Sequence, residues 1–461
     1  MTGIRITVAV LVVATAAFAD EALEQRLKAM EARMEQLATE NAALRAEVDA
    51  LKGKGPAAPA EAPTARPEEK KKDAEFSVGW KDGFQLKSGD GNFSAHLGGR
   101  ILLQSRHFIG ETRASDTFLV REARIQADGT FYKDYEYKVE GDFGRGTVQL
   151  QDGYVGWKRH PEYSLRIGQM KEPFSLETLN SSRFMSFVER SPMSLLAPGR
   201  DIGLLLHGKA WEERLEYGLG VFNGNGRNVA SDANDDKDVV ARLVVKPFAP
   251  SEDPWTKGIR VGGAITYGSE KQAFGSLAAP DSGTTFLTMT SGVRSRQDRR
   301  RLNVEGAWLV GPVKLQGEAT WMDLELHRFA SGLPDNKVEG DAEFGSYYVE
   351  GLCVLTGEDA VLDRRKPKRN LLSDGGIGQV EVALRFSQFW TDEDLFDEGF
   401  ATESRSTDGY DNWTAGVNWW LNPYTRVSLN YFHNEFWDDV LINGKSEGDE
   451  DGLVTRFQID F

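Results

Sequence analysis

The chain is poor in several things at once. Among 461 residues there is one cysteine, Cys353, which excludes an internal disulfide framework and a cysteine-rich metal site. Its six histidines are scattered and form no HExxH or paired cluster. Beyond the N-terminus no apolar run approaches the roughly 20 residues that a transmembrane helix needs. Positive charge is in deficit: the net charge of −16 argues against nucleic acid as a partner, since phosphate binding asks for a basic face. No G-x-S-x-G, P-loop or other catalytic set is assembled, so the reading is a non-enzyme without cofactor or metal. The acidic runs "SDANDDKD" and "GDEDG" lack EF-hand spacing and read as solvated surface.

What is present starts with "MTGIRITVAVLVVATAAFAD". Arg5, an apolar core from Ile6 to Ala17, and Ala17-Phe18-Ala19 mark a secretory signal over residues 1–19. Leu23, Leu27, Met30, Met34, Leu37, Leu44, Val48 and Leu51 then recur at alternating spacings of four and three, with Asn41 in the remaining seam position. Residues 20–52 are expected to form an α-helical coiled coil that oligomerises. Residues 53–75, rich in Pro, Ala and charge, read as an extended linker.

Over residues 76–461 the period is two. "FSAHLGGRILL" sets Phe93, Ala95, Leu97, Ile101 and Leu103 against His96, Arg100 and Gln104; "QVEVALRF" and "LVTRFQIDF" behave alike. Roughly sixteen such segments are joined by tight turns on one side and mostly long, acidic connections on the other. The prediction is an all-β fold, a 16-stranded antiparallel transmembrane β-barrel with its apolar face to lipid. Two connections on the tight side, "KPFAPSEDPWTKG" and "TGEDAVLDRRKPKRNLLSDGG", are long, and the pattern gives no reason for them. The segment "KEPFSLETLNSSRFMSFVERSPMSLLAPGRD", Lys171 to Asp201, stands apart. It does not alternate, holds three prolines, and mixes Phe and Leu with Arg183, Arg190 and Arg200. As the third external connection it is expected to fold into the lumen as a constriction loop, apolar side to the wall and arginines to water.

The stretches "REARIQADGTFYKDYEYKVEGDF", "LRIGQMKEPFSLETLNSSRFMSFVERSPMSLLAPGRDIGL", "GPVKLQGE", "YYVEGLCVLTGE", "EVALRFS" and "TRFQIDF" carry a resemblance. From about Phe93 to Phe461 the chain resembles the phosphate-selective porin O/P family of outer-membrane channels. The resemblance implies a homotrimer and passive diffusion of small anions, phosphate or polyphosphate among them. It also implies an eyelet of arginines on the second strand, an aspartate on the third, and a serine with basic residues on the infolded loop. The matching positions are Arg121, Asp142, Ser182, Arg183 and Arg190, with Arg183 expected to be an important selectivity residue. Phosphate-binding members commonly carry paired arginines where this chain reads Arg121-Glu122. Parity places Ala123, Ile125 and Ala127 toward lipid and Glu122 and Arg124 in the lumen, where the carboxylate opposes an anion and Arg124 compensates. "VRSRQDRRRLNVEGAW" adds Arg294, Arg296, Arg299 and Arg301 as an anion path at the external mouth.

Expected partners are small inorganic anions, outer-membrane lipid, further copies of the chain and, through a periplasmic coiled coil, the cell wall. Two other functions fit the same residues. One is a general or cation-preferring pore governed by Glu122, Glu136, Glu140 and Asp142. The other is a structural tether between outer membrane and cell wall.

Overall fold

The computed structural model describes residues 76–110, 114–229, 235–269, 271–329 and 337–461, together with scattered positions between 28 and 43. The chain divides into two units, 1–71 and 72–461. In the first, Lys28, Ala32, Glu35, Gln36, Thr39, Ala42 and Ala43 are helical and exposed. The signal segment, the seam residues of the coiled coil and the linker lie outside the described residues.

In the second unit, β1 (Phe76–Trp80) and β2 (Phe84–Ser88) form a hairpin. One run of the wall follows as β3 (Ser94–Ile109), β4 (Thr117–Phe131), β5 (Tyr135–Asp142), β6 (Gln149–His160), β7 (Tyr163–Lys171), β8 (Arg200–Ala210), β9 (Leu215–Phe222), β10 (Asp238–Val245) and β11 (Ile259–Ser269). A small ribbon of β12 (Leu277–Ala278) and β13 (Thr285–Leu287) stands apart from the wall. The second run is β14 (Arg294–Val310), β15 (Val313–Phe329), β16 (Lys337–Val354), β17 (Gln379–Thr391), β18 (Gly409–Asn422), β19 (Thr425–Ile442) and β20 (Lys445–Asp460). Each wall strand pairs antiparallel with the next, and β20 pairs with β3, so the sixteen-stranded barrel closes and leaves no unpaired edge. Where β20 ends, β2 takes over the free length of β3 through Phe84–Lys87.

The alternation does what period two dictates. Leu97, Ile101 and Leu103 point outward and exposed, while Arg100, Leu102 and Gln104 are buried inside. Three strands start earlier than their apolar pattern suggests: β14 at Arg294, β16 at Lys337 and β20 at Lys445. Their external ends rise above the lipid band, so the outer face turns polar and the apolar signal stops although pairing continues. "GDEDG" is accordingly strand in β20, not loop, and β19 joins β20 through a tight turn with Asn443 at φ 50° and Gly444 at φ 81°. Both signs match the hairpin geometry that an Asn-Gly pair favours.

Residues 172–199, between β7 and β8, fold into the lumen and cross it. Phe174 packs with Met170, Leu205 and Val240 on one wall, Phe187 with Leu352 and Ala383 on another, and Val188 with Phe108, Phe432 and Val454 on a third. The loop's carbonyls, which no ladder satisfies, are met by buried cations. Arg365 donates to the Phe184 carbonyl at 2.7 Å, Arg426 to Met185 at 2.8 Å and Arg385 to Glu189 at 3.0 Å. At the short helix α1 (Leu176–Leu179), Glu318 of β15 accepts from the backbone N–H groups of Leu176 and Glu177. The loop is thereby fixed at both faces.

Arg365 answers one of the open questions of the sequence. It belongs to the long connection between β16 and β17, which enters the barrel from the tight-turn side. Ala360 packs beside Phe187, and the Arg364 guanidinium lies 5.3 Å from the Phe184 ring and 4.8 Å from Tyr424. From the external side, the connections β11–β14 and β17–β18 also turn inward. Phe286, Leu287, Val293, Leu395 and Phe400 are buried with Leu324, Leu326, Phe344, Phe389 and Tyr410 of the wall.

Candidate functional site: the eyelet

The eyelet lies where residues 172–199 face β3–β11. Period two alone would send Arg121 outward with Ala123. A β-bulge between β3 and β4 skips Arg121: Leu102 pairs with Glu122 and Leu103 with Val120. The extra residue turns the backbone, so Arg121 and Glu122 both reach the lumen side.

A chain of alternating charges then runs along the wall. Arg100 meets Glu122 at 2.7 Å, and Arg124 meets Glu122 at 3.0 Å, Glu140 at 2.9 Å and Asp142 at 2.8 Å. Lys138 bridges Glu140 at 2.8 Å and Asp152 at 2.6 Å, and Arg200 meets Asp152 at 2.6 Å. Arg121 holds Glu189 of the loop with two bonds of 2.9 Å, a bidentate fork. Burial alone would raise the Glu189 carboxyl; Arg121, Arg456 and Arg106 outweigh it and hold it far below the ordinary carboxylate range.

The six residues expected at the eyelet therefore gather there but divide by task. Arg121 and Arg124 are committed to carboxylates, and Asp142 is committed to Arg124. The Ser182 hydroxyl, expected to face an anion, donates to Glu122 at 2.9 Å instead. Arg190 donates to the carbonyls of Glu177 and Asn180, at 3.3 and 3.0 Å, and so braces the loop. Arg183 differs. Its guanidinium reaches the Ser181 hydroxyl at 3.4 Å and lies 5.2 Å from the Phe184 ring, with no ion pair among the described residues. Burial first, and then Arg100, press it below its ordinary value. It is a cation whose surroundings oppose its charge, so an arriving anion would relieve it.

Arg183 is also where three spaces meet. It lines a cavity of about 590 Å³ beside β4–β10, a second of about 580 Å³ beside the β16–β17 connection, and a third of about 440 Å³ under the β1–β2 hairpin. Around the first, ten Lys and Arg residues stand against four carboxylates. The cationic excess sits at the narrow passage, not in the chain's overall charge.

At the external mouth the expected file of arginines is corrected. Arg299 is buried and paired with Asp238, Arg296 is paired with Glu339, Arg301 turns inward beside Glu172, and Arg294 is exposed at the outer end of β14. Among the described residues, Arg145, in the β5–β6 connection, and Arg227, in β9–β10, lie near the eyelet cations instead. Both are exposed; Arg145 neighbours Arg121 and Arg106, and Arg227 donates to Gln151 at 3.2 Å. The sequence carried a signal for them: "FGRGT" and "NGNGRN" set each arginine among glycines whose φ is positive, at Gly146 and Gly226.

A closed sixteen-stranded barrel with an infolded, charge-lined constriction is the architecture of an outer-membrane porin. The family model for phosphate-selective porin O and P matches residues 104–461. The chain belongs to that family, which points to a channel and not an enzyme. A curated relative, Porin O of Pseudomonas aeruginosa, is 26% identical over 435 residues, covering 84% of this chain and 93% of its own length. Among solved structures, the outer membrane channel DcaP of Acinetobacter baumannii aligns with TM-score 0.50 and 11% identity over 81% of this chain and 99% of its own. An anion-selective porin from Comamonas acidovorans aligns with TM-score 0.49 and 11% identity, over 80% and 100%. At such identities the likeness concerns fold alone.

Proposed function

We propose that this outer-membrane porin conducts small anions, phosphate among them, and that Arg183 sets its preference. The observation that carries the reading is the contrast at the eyelet. Glu122, Glu140, Asp142 and Asp152 are each neutralised by a bonded cation, whereas Arg183 stands unpaired by a carboxylate where three cavities join. The same neutralisation weighs against the cation-preferring reading, which needs those carboxylates exposed to the path. Arginine offers always-charged, fork-shaped donors suited to phosphate oxygens. Reversal potentials of the reconstituted channel test this. Arg183→Ala should cut the anion preference several-fold and Arg183→Lys should keep most of it; unchanged selectivity in Arg183→Ala removes Arg183 from the role.

The reading includes a homotrimer exported by the segment 1–19, with residues 20–52 as a periplasmic coiled coil. Strand length supports assembly. β5, β9 and β10 have eight residues each, about 27 Å extended and roughly 20 Å once tilted, against an apolar band of about 25 Å. A neighbouring copy would cover that low wall.

A further inference from the structure

We infer that the eyelet cavity is built to take organic anions with an apolar body, and not only bare inorganic ions; this rests on the anion reading above. A passage for chloride or phosphate needs cations and hydroxyls, and porin lumens are polar. This one is not uniformly so. Inward positions of β6, β7 and β8 carry Tyr154, Met170 and Leu205, and the infolded loop adds Leu179 to the same cavity. Met170 and Leu205 are buried and locked against Phe174, so the floor is rigid. Seating the loop explains Phe174 and the inner part of Tyr154, which packs beside that cluster; it does not explain why Tyr154 and Leu179, both half-buried, present apolar surface to the cavity.

Charge and apolar surface are presented together. Arg166 lies 4.8 Å from the centre of the Tyr154 ring, and Lys138 and Arg200 line the same space. An inorganic anion uses the cations and leaves the floor bare. An anion bearing a ring or short chain places its charge on Arg183, which lines the same cavity without an ion pair among the described residues, and lays its body on Tyr154 and Leu179. Burying even part of an aromatic body there corresponds to about tenfold in affinity.

The test isolates the apolar contact by keeping the charged group constant. Benzenesulfonate and methanesulfonate are titrated as blockers of chloride current through the purified, full-length protein in planar bilayers. Benzenesulfonate should block at a concentration at least about tenfold lower. Tyr154→Ser and Leu179→Ser should each shrink that ratio toward one, and the loop variant carries the test if the strand variant does not fold. Equal block by the two sulfonates in an anion-selective channel overturns this inference and leaves the role of Arg183 standing. A ratio that survives in both variants also overturns it, because the contact is then elsewhere. A cation-selective wild-type channel overturns both readings together.

Discussion

The two sides of the lumen are built on opposite plans. Along β5–β10 the strands run to 8–12 residues, the wall is low, and the interior holds a cavity edged by paired and unpaired charges. Along β14–β20 the strands run to 13–18 residues, and the interior is filled like a soluble protein's core, with Phe286, Leu287, Phe389, Phe400 and Tyr410 all but fully buried. A sixteen-stranded barrel left empty would be a wide aqueous channel indifferent to most small ions. Filling one side with apolar loops drives every ion past the charged side, where a single uncompensated guanidinium outweighs many charges in bulk water. On the proposed function, selectivity depends as much on the packed half as on the charged one.

The sharpest way to break this division is at the joint between the halves. Arg385, on β17, is fully buried; it donates to the Glu189 carbonyl and pairs with Glu177 of the infolded loop and Asp281 of the β11–β14 connection. Arg385→Ala leaves two buried carboxylates without their ion-pair partner, a change that costs about 3–5 kcal/mol. Urea unfolding of the detergent-solubilised protein should register that loss, and limited proteolysis should cut within residues 172–199. Stability within about 1 kcal/mol of the parent would mean that the loop is held mainly by its apolar anchors.

Phe286→Ala asks the reverse question, whether the packed half matters for selection. Deleting a buried Phe costs about 3 kcal/mol or more, here from a plug whose barrel keeps all its ladder bonds. The expected outcome is a barrel that still migrates as folded, with higher single-channel conductance and weaker anion preference. Unaltered conductance would show that the plug lies off the ion path.

How much of this was readable beforehand differs between the halves. The barrel and the infolding of residues 172–199 follow from period two and from its failure over one long, half-apolar, basic segment. The plug was also written in the chain, as a phase change within strands. In β15, Leu315 and Trp321 point outward, yet beyond Trp321 the buried, inward positions are Met322, Leu324 and Leu326. Above the lipid band the outside meets water and the inside meets folded loops, so apolar residues swap faces without any slip in register. Period two read as one uninterrupted phase misses this. The bulge at Arg121 and the entry of Arg365 were not readable, because one depends on a local register shift and the other on a contact between residues 181 apart in sequence. Ser182 was assigned by analogy to the anion, and only its geometry shows the hydroxyl given to Glu122.

The mildest expected effect belongs to the outer ring. Arg145 and Arg227 are exposed and fixed on glycine-flanked turns, so they act on ions that are still hydrated. Arg121 and Arg106 lie close to Arg145, and Arg200 and Arg124 lie close to Arg227, so like charges cluster over the eyelet. Such a cluster raises the local anion concentration without binding any ion tightly. Removing both with Arg145→Ala and Arg227→Ala should lower chloride conductance a few-fold in dilute salt, around 0.01 M, where the Debye length is about 30 Å. Near 1 M the screening length falls to about 3 Å and the double variant should match the parent. The selectivity ratio, which the proposed function assigns to Arg183, should change little at either salt. If the deficit instead persists at high salt, the two arginines touch the permeating ion directly and belong to the constriction itself.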